Sequence, residues 1–204
     1  MLAEHTCRSH LARAKRNGWG RMWVHRTPRV AWDGEPWGFD NGAFIDWRRG
    51  REFDADGYLL RLDAAVAVGV PSVAVVPDLV ARGLESLAFS MEWLGKLPPE
   101  WPWFLAVQDG MSEADVLPVL GRFAGLFLGG TDAFKWTAPA WCKLAHNHGR
   151  RFHFARCGTM LKLQIARRIG ADSCDSAFPL WTMDRMSRVE DWWNNGHRQT
   201  ELCT

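Results

Sequence analysis

Short apolar runs recur along the chain, separated by segments in which apolar residues follow a helical period. Near-continuous apolar runs are typical of strands buried on both faces, because helices cover a parallel sheet above and below. Helical spacing is clear over 55–68, 84–94 and 160–169. This alternation of strand-like and helix-like segments predicts an α/β fold built on a parallel sheet.

The apolar runs share a second property, since each one ends in residues that can do chemistry or bind a ligand. The five runs are Trp37–Gly42, Val73–Asp78, Phe104–Gly110, Leu126–Gly130 and Gly170–Asp175. In α/β barrels and in open α/β sheets, the C-terminal ends of the strands face the ligand. The pattern therefore predicts a pocket formed by Asp, Gln and Gly residues at successive strand ends.

The length of the chain narrows the choice of fold. Its 204 residues are enough for one domain with a full core, but a closed barrel of eight strand–helix units typically needs roughly 250. Six or seven units favour a barrel over an open sheet, so we expect a single domain over 1–204, a compact TIM-like (β/α) barrel that is pared down or incomplete. Other predicted elements are a polar helix around Leu11, a first strand over 21–25, a helix from Ser112 through Phe123, a helix over 139–148, a strand over 151–155 and a closing helix or cap from Trp181.

Composition is that of an ordinary soluble domain, with 47% hydrophobic and 24% charged residues. The net charge of +2 is too small to indicate nucleic-acid binding by itself. Basic residues nevertheless cluster within 8–29, 48–51 and 150–168. Such clusters suit phosphate contacts, and the alternative is solvated helix faces. Thirteen Trp residues allow the same two readings, stacking on bases or packing in the core.

The five cysteines are widely spaced, and no pair has the C-x-x-C spacing of a zinc site. No disulfide framework is indicated, so a reduced, cytoplasmic setting is expected. No apolar run approaches the length of a membrane span, and residues 1–5 lack the apolar core of a signal peptide.

Taken in order, the strand-end motifs resemble the tRNA-guanine transglycosylase superfamily, and within it the phage-type relatives that insert 7-deazaguanines into DNA. The motifs that carry the resemblance are Gly38–Phe44, Val76–Asp78, Val107–Gly110, Leu128–Gly130 and Gly170–Asp175. They fall in the family's order between about Gly38 and Pro179, although Asn41 replaces the family's Ser and Ala43 its Gly. Each motif alone is weak, whereas five in order at strand ends are fairly specific.

The resemblance implies a base exchange at C1′ of a nucleotide, with a pair of aspartates doing the chemistry. Asp175 would be the nucleophile that holds the sugar covalently. Asp40 would be the general acid and base. The structural alternatives are a strand-end Asp that caps a turn before Pro179, and an Asx turn in Asp40-Asn41-Gly42. Asp172 lies at an odd offset from Asp175, so we expect it to face the opposite side of its strand.

The resemblance also implies a purine site. Asp78 would accept hydrogen bonds from N1–H and the exocyclic amine of a guanine-like base, and Gln108 would contact the O6 side or the amine edge. Gly129 and Gly130 would let the backbone approach the base, with the Gly130 N–H on its carbonyl. Asn41 is grouped with these substrate-binding residues. The alternative is that Pro77-Asp78 and the Gly pair are ordinary loop openers.

Four basic residues are candidate nucleic-acid contacts. Lys135 follows the Gly pair and would meet a phosphate, or else lie at the surface beside a packed Trp136. Arg156 would contact a phosphate or pair with a site carboxylate. Arg48 and Arg49 follow the Asp40 loop and would hold the nucleic-acid backbone. His153 is expected to be a buried residue that supports the site.

The family's tRNA enzymes carry a C-terminal cysteine-rich zinc subdomain, whereas here the sequence ends soon after Asp175 and Cys203 has no nearby thiol. The expectation is therefore a barrel without that subdomain, with DNA as the polymer, free 7-deazaguanine base such as preQ0 as second substrate, no metal and no cofactor. If the gene belongs to a phage, the location is the host cytoplasm. Two rival hypotheses stay open, an N-glycosidase or sugar hydrolase on the same barrel, and a non-catalytic nucleic-acid binder.

Overall fold

Eight parallel strands form one curled sheet in which the spatial order equals the chain order. The computed structural model describes residues 1–3, 7–24 and 34–195. The strands are β1 (Leu2–Ala3), β2 (Arg21–Trp23), β3 (Trp37–Phe39), β4 (Val73–Val75), β5 (Trp103–Val107), β6 (Gly125–Leu128), β7 (Arg151–Phe154) and β8 (Ser173–Cys174). The expected α/β fold with a pared-down TIM-like barrel is confirmed. The barrel is reduced because its strands have only two to five residues.

Backbone hydrogen bonds join the first strand to the segment around the last one. The Met1 amino group donates to the Cys174 carbonyl, Ala3 N donates to Ser176 O at 3.2 Å, and Ser176 N donates to Met1 O at 3.0 Å. A parallel bridge pairs Leu2 with Ser176. The sheet therefore curls round so that β1 lies beside β8, and we call this junction the seam.

Helices cover the outside of the sheet. They are α1 (Arg8–Arg16), α2 (Ala43–Arg48), α3 (Ala55–Val66), α4 (Leu84–Leu94), α5 (Glu113–Val116), α6 (Ala138–Asn147), α7 (Met160–Arg168) and α8 (Met183–Asn195). Single 3-10 turns lie at Leu120–Arg122, Phe134–Thr137 and Phe178–Leu180. No helix of the described ranges is long and apolar enough to cross a membrane.

Two expectations about elements are corrected. The first strand is β1, which is too short to give a sequence pattern, and the run expected over 21–25 forms β2 and ends at Trp23, with His25 outside the described residues. The helix opened by the Ser112–Asp115 capping box ends at Val116 instead of Phe123. Pro118 explains this, since its nitrogen has no hydrogen to donate back to the helix.

Side chains alternate between two apolar layers. The barrel interior contains Met22, Val73, Val75, Phe104, Ala106, Phe127 and Ala155. Gly38 belongs to this layer, because a Cβ there would lie 2.7 Å from the Met22 sulfur and 2.9 Å from the Met1 sulfur. The larger layer lies between strands and helices and contains most of the buried Trp rings. Core packing is thus the role of Trp23, Trp37, Trp93, Trp101, Trp103 and Trp141, whereas Trp47, Trp136, Trp181 and Trp193 are exposed.

The cysteines of the described residues are free thiols, namely Cys7, Cys142, Cys157 and Cys174. Cys203, Arg26 and Arg29 lie outside the described residues.

Candidate active site

The alternation of side chains along each strand places the predicted site residues at one end of the barrel. Gly38 faces the interior, so Asp40, two residues later, follows the same inward parity just beyond β3. Gln108 stands two residues after the interior Ala106 in the same way. Asp175 follows β8 directly, and these positions are all at C-terminal strand ends, where α/β barrels hold their ligands.

Asp175 is held by two donors on one oxygen. His153 Nε2 lies 3.0 Å from Asp175 Oδ1, and the backbone N–H of Arg156 donates to the same oxygen at 3.0 Å. The Asp175 side chain keeps 12% of its surface exposed. The two hydrogen bonds therefore fix the orientation of the carboxylate, and a small part of it stays accessible to solvent.

His153 is fully buried in the barrel interior, as expected for a supporting residue. Its ring stacks on Phe127 with the centroids 4.9 Å apart, and its Nδ1 lies 2.8 Å from Ser173 Oγ. Burial lowers the pKa of His153, against the opposing influence of Asp175. A neutral imidazole with its proton on Nε2 satisfies both contacts, because Nε2 then donates to Asp175 and Nδ1 accepts from the Ser173 hydroxyl.

Hydrogen bonding decides the ionisation of Asp175. Burial acts to raise the pKa of Asp175, but the hydrogen bonds from His153 and from the Arg156 N–H hold it below its usual value. Asp175 is therefore a carboxylate at neutral pH, the form that can attack a sugar carbon.

The pKa of Asp40 is shifted in the opposite direction. Burial and the charges of Asp175 and Asp78 raise the pKa of Asp40 to about 7, despite the opposing Gly42 N–H and the charge of Arg61. The Asx turn named as the alternative is present, since Gly42 N donates to Asp40 Oδ1 at 2.7 Å. Turn and chemistry are compatible, because this single backbone donor leaves the second oxygen for a ligand.

Arg61 supports the Asp40 loop, and sequence reasoning missed it. Its guanidinium donates to Asn41 O at 2.8 Å and to the Val24 carbonyl at the end of β2. Gly42 has a positive φ of 82°, and a Cβ there would approach Arg61 Nη2 to 3.0 Å. The only signal in the sequence was the position of Arg61 on a predicted helix that follows the Asp40 motif.

Asp78 is buried and receives a side-chain donor on each oxygen. Asn41 Nδ2 donates to Oδ1 at 2.6 Å, and Gln108 Nε2 donates to Oδ2 at 3.0 Å. Burial raises the pKa of Asp78 to about 6, and the two hydrogen bonds act in the opposite direction. Asp78 is thus oriented by the two residues that were expected to contact the base beside it.

The polar atoms of Gln108 already have protein partners. Besides Asp78, its Nε2 donates to Ser86 Oγ at 2.6 Å, and its Oε1 accepts from Ala81 N at 2.5 Å. Asn41 is similarly engaged, with Nδ2 also on Val76 O at 2.8 Å and Oδ1 accepting from Ala43 N at 2.9 Å. Both side chains therefore position Asp78 in this structure. Ser86 was not anticipated, because a Ser inside a helix carries no distinctive pattern.

Gly129 and Gly130 directly follow β6. Gly130 has a φ of 71°, and a Cβ there would lie 2.6 Å from Asp109 Oδ2, so a side chain is excluded. Within the described residues, the Gly130 N–H has no hydrogen-bond acceptor. This N–H is available for a ligand carbonyl, as the resemblance implies.

Lys135 does not lie where either expectation put it. Its side chain is buried, and Nζ donates to the carbonyls of Leu128 at 2.5 Å and Gly129 at 3.0 Å. Burial and the charge of Arg156 lower the pKa of Lys135 to about 7. The expected surface position is wrong because the 3-10 turn points Lys135 inward under the β6 end and leaves Trp136 58% exposed.

Arg156 lies beside the carboxylates. Its backbone has a positive φ of 52°, its guanidinium carbon is 3.7 Å from the centroid of Phe44, and its Nη2 donates to the Gly130 carbonyl. Burial lowers the pKa of Arg156, while the charges of Asp175 and Asp40 act to raise it. The structure thus brings a cation to the mouth of the site between α2 and the β6 end.

The other basic candidates are distributed unevenly. Arg48 and Arg49 are exposed at the end of α2, and the Arg48 guanidinium carbon lies 6.0 Å from the Phe44 centroid. In the first basic cluster Arg13 pairs with Glu190 and Arg21 with Glu35. Of the third cluster, Arg150 precedes β7 and Arg151 is its first residue, so both lie at the far end of the barrel from the predicted site.

Asp172 faces away from the site, as its parity predicted. Its Oδ2 accepts from Phe152 N at 2.7 Å and lies 2.9 Å from His146 Nε2 on α6. Across the described ranges, no group of three or more His, Cys, Asp or Glu side chains is arranged to hold a metal ion.

No protein-family model and no curated protein matches this chain. The geometry of the strand ends is therefore the basis for any functional assignment.

Proposed function

We propose that this protein exchanges a purine base at C1′ of a nucleotide in DNA, replacing guanine by a 7-deazaguanine such as preQ0. The observation that carries the proposal is that two aspartates at one end of the barrel have pKa values shifted in opposite directions. The pKa of Asp175 is lowered and that of Asp40 is raised to about 7. Two acids whose environments separate their pKa values in this way are the arrangement that acid–base and nucleophilic chemistry needs.

In the first half of the reaction, Asp175 attacks C1′ while the bond from C1′ to N9 of guanine breaks. Protonated Asp40 gives its proton to the departing base, and the sugar stays bound to Asp175 as an ester. In the second half, Asp40 takes the proton from the incoming base, whose nitrogen attacks C1′ and displaces Asp175. Both groups then regain their starting forms, and the polymer backbone is not cut.

Recognition of the base is assigned to Asp78 and the Gly130 N–H. Each Asp78 oxygen already accepts one hydrogen bond and has capacity for a second, so the pair suits N1–H and the exocyclic amine of guanine. Asn41 and Gln108 keep the carboxylate in position. A base must leave the stack to reach this site, because C1′ is obstructed inside a duplex.

Arg156, Arg48 and Arg49 are the proposed contacts to the polymer. Arg156 lies next to the carboxylates, and the other two lie on the exposed end of α2. The proposal of DNA as the polymer rests on the resemblance of the strand-end motifs, so the test includes tRNA.

The test is incubation of the purified protein with labelled preQ0 and either duplex DNA, single-stranded DNA or tRNA. Incorporation of label into DNA, with release of one guanine per base inserted, is the expected result. Label in tRNA alone would redirect the proposal to the tRNA branch. Failure to label any of the three polymers by well-folded protein would overturn it.

A second candidate is an N-glycosidase that uses the same two carboxylates. The specific observation in its favour is that Asp40 is partly exposed, so water can reach the group that would otherwise activate the incoming base. Release of guanine without incorporation of label would select this alternative. Polymer binding that persists in Asp40→Ala and Asp175→Ala, with no turnover by the wild type, would instead select a non-catalytic binder.

A further inference from the structure

A cavity of about 420 Å³ lies on the outer side of the barrel, next to the seam. It is bounded by the seam strands, the turn before β2, α7 and α8, and none of Asp40, Asp78 or Asp175 lines it. The chemistry at the C-terminal strand ends therefore does not account for it. Its volume falls within the range of small-molecule sites, about 300–1,000 Å³.

Aromatic rings dominate one wall. Trp19 and Trp193 meet edge to face at 6.2 Å between centroids, and Trp192 lies 6.3 Å from Trp193. Leu163 and Val189 add aliphatic surface. Such a wall favours a flat, apolar ligand, because aromatic pairs stack and edge-pack with defined geometry.

Arg167 is the basic side chain among the described residues that line this cavity. Its guanidinium carbon lies 5.3 Å from the Trp192 centroid, so the cation already rests against the aromatic wall. The side chain lines the cavity and is half-buried. A carboxylate binds a guanidinium best, through two parallel hydrogen bonds.

Asp172 also lines the cavity and is the acid that would oppose an anion. Its Oδ2 is engaged by Phe152 N and lies close to His146 Nε2, which directs it toward α6 and β7. The charge next to the Trp wall is therefore that of Arg167.

We propose that this cavity is a second ligand site and that it takes a planar aromatic acid. The ring would lie against Trp192 and Trp193, and the acid group would bind the Arg167 guanidinium. The assignment is independent of the proposed base exchange, because no residue of that reaction takes part.

The experiment is calorimetric titration of the full chain with indole-3-acetate, and with indole-3-acetamide as its uncharged counterpart. We expect the wild type to bind indole-3-acetate with a dissociation constant below about 1 mM. Arg167→Gln should weaken that binding about tenfold, since it removes a charged hydrogen bond, and should leave indole-3-acetamide within about twofold.

Arg168→Gln is the matched control, because Arg168 is the exposed neighbour on the same helix and does not line the cavity. It should bind both probes like the wild type. Trp192→Leu should weaken both probes, and a circular dichroism melt verifies that each variant folds. The absence of binding by the wild type, equal binding of the two probes, or an equal loss in Arg167→Gln and Arg168→Gln would each overturn the proposal.

Discussion

Asp40 and Asp175 are the same residue type at the same end of one barrel, yet their surroundings drive them in opposite directions. Burial acts on both to raise the pKa. Asp175 receives two donors on one oxygen, from His153 and the Arg156 N–H, whereas Asp40 receives one backbone donor and lies in the field of two other carboxylates. The number and kind of hydrogen-bond donors, more than the depth of burial, therefore assign the roles of nucleophile and acid.

Removal of the nucleophile should cause the largest loss of base exchange. Asp175→Ala should reduce base exchange by on the order of 10⁴-fold or more, because it removes the carboxylate that is proposed to hold the sugar covalently. The measurement is the rate of label incorporation from preQ0. Asp172→Asn is the control, since Asp172 immediately precedes the same strand and faces outward; comparable losses in both variants would contradict the assignment.

Replacing the acid should have a smaller effect. Asp40→Asn keeps the size of the side chain and removes the transferable proton, so base exchange should fall by about 10²–10⁴-fold. The covalent sugar adduct should still form slowly and be detectable by mass spectrometry of the protein, whereas it should be absent in Asp175→Ala. An Asp40→Asn variant with the activity of the wild type would show that another group supplies the proton.

Substitution of His153 tests the pKa difference between Asp40 and Asp175 without changing either aspartate. In His153→Leu, Asp175 loses one of its two donors and its pKa should rise, which moves the acidic limb of the pH–rate profile to higher pH. His153→Gln, whose amide can donate in the place of Nε2, should restore part of the shift. A role in packing alone predicts equal acidic limbs in the two variants once their folded fractions are matched.

The smallest effect concerns stability. The folded-state pKa of Asp40 is raised to about 7, above its ordinary value of 3.8. The protonated form is therefore favoured in the folded state, and stability falls as the pH rises from about 4 through 7. Asp40→Asn cannot ionise, so relative to the wild type its melting temperature should increase by several degrees between pH 4 and pH 8. A difference that does not vary with pH would contradict the raised pKa.

Much of the fold follows from local patterns in the sequence. Apolar runs and spacing predict seven of the eight strands and the helices α3, α4, α6 and α7. The polar tail from Trp181, expected to be a closing helix or a cap, contains α8. The positions of Asp40 and Asp175 follow as well, because each is the first residue after its strand and continues the inward parity. Asp78 lies three residues after β4, so its position follows from the apolar run that it ends and not from parity. β1 was missed since two residues form no pattern and its pairing depends on contacts with the segment near Ser176.

The parts of the site that could not be predicted are contacts between distant segments. Gln108 and Asn41 could be placed at the strand ends, but their engagement by Asp78 arises from three loops meeting. Lys135 was expected at the surface because the turn that buries it has no sequence signature. Arg61 and Ser86 act from helices, where the pattern of apolar residues says nothing about polar neighbours.

The opposite pKa shifts of Asp40 and Asp175 can be measured directly by carbon NMR. The protein carries ¹³C-labelled aspartate, the two carboxyl groups are titrated, and the variants Asp40→Asn and Asp175→Asn assign their signals. We expect a titration midpoint of about 7 for the Asp40 carboxyl group and a midpoint below the ordinary 3.8 for that of Asp175. Ordinary midpoints for both groups, or a higher midpoint for Asp175 than for Asp40, would contradict the division of roles between them.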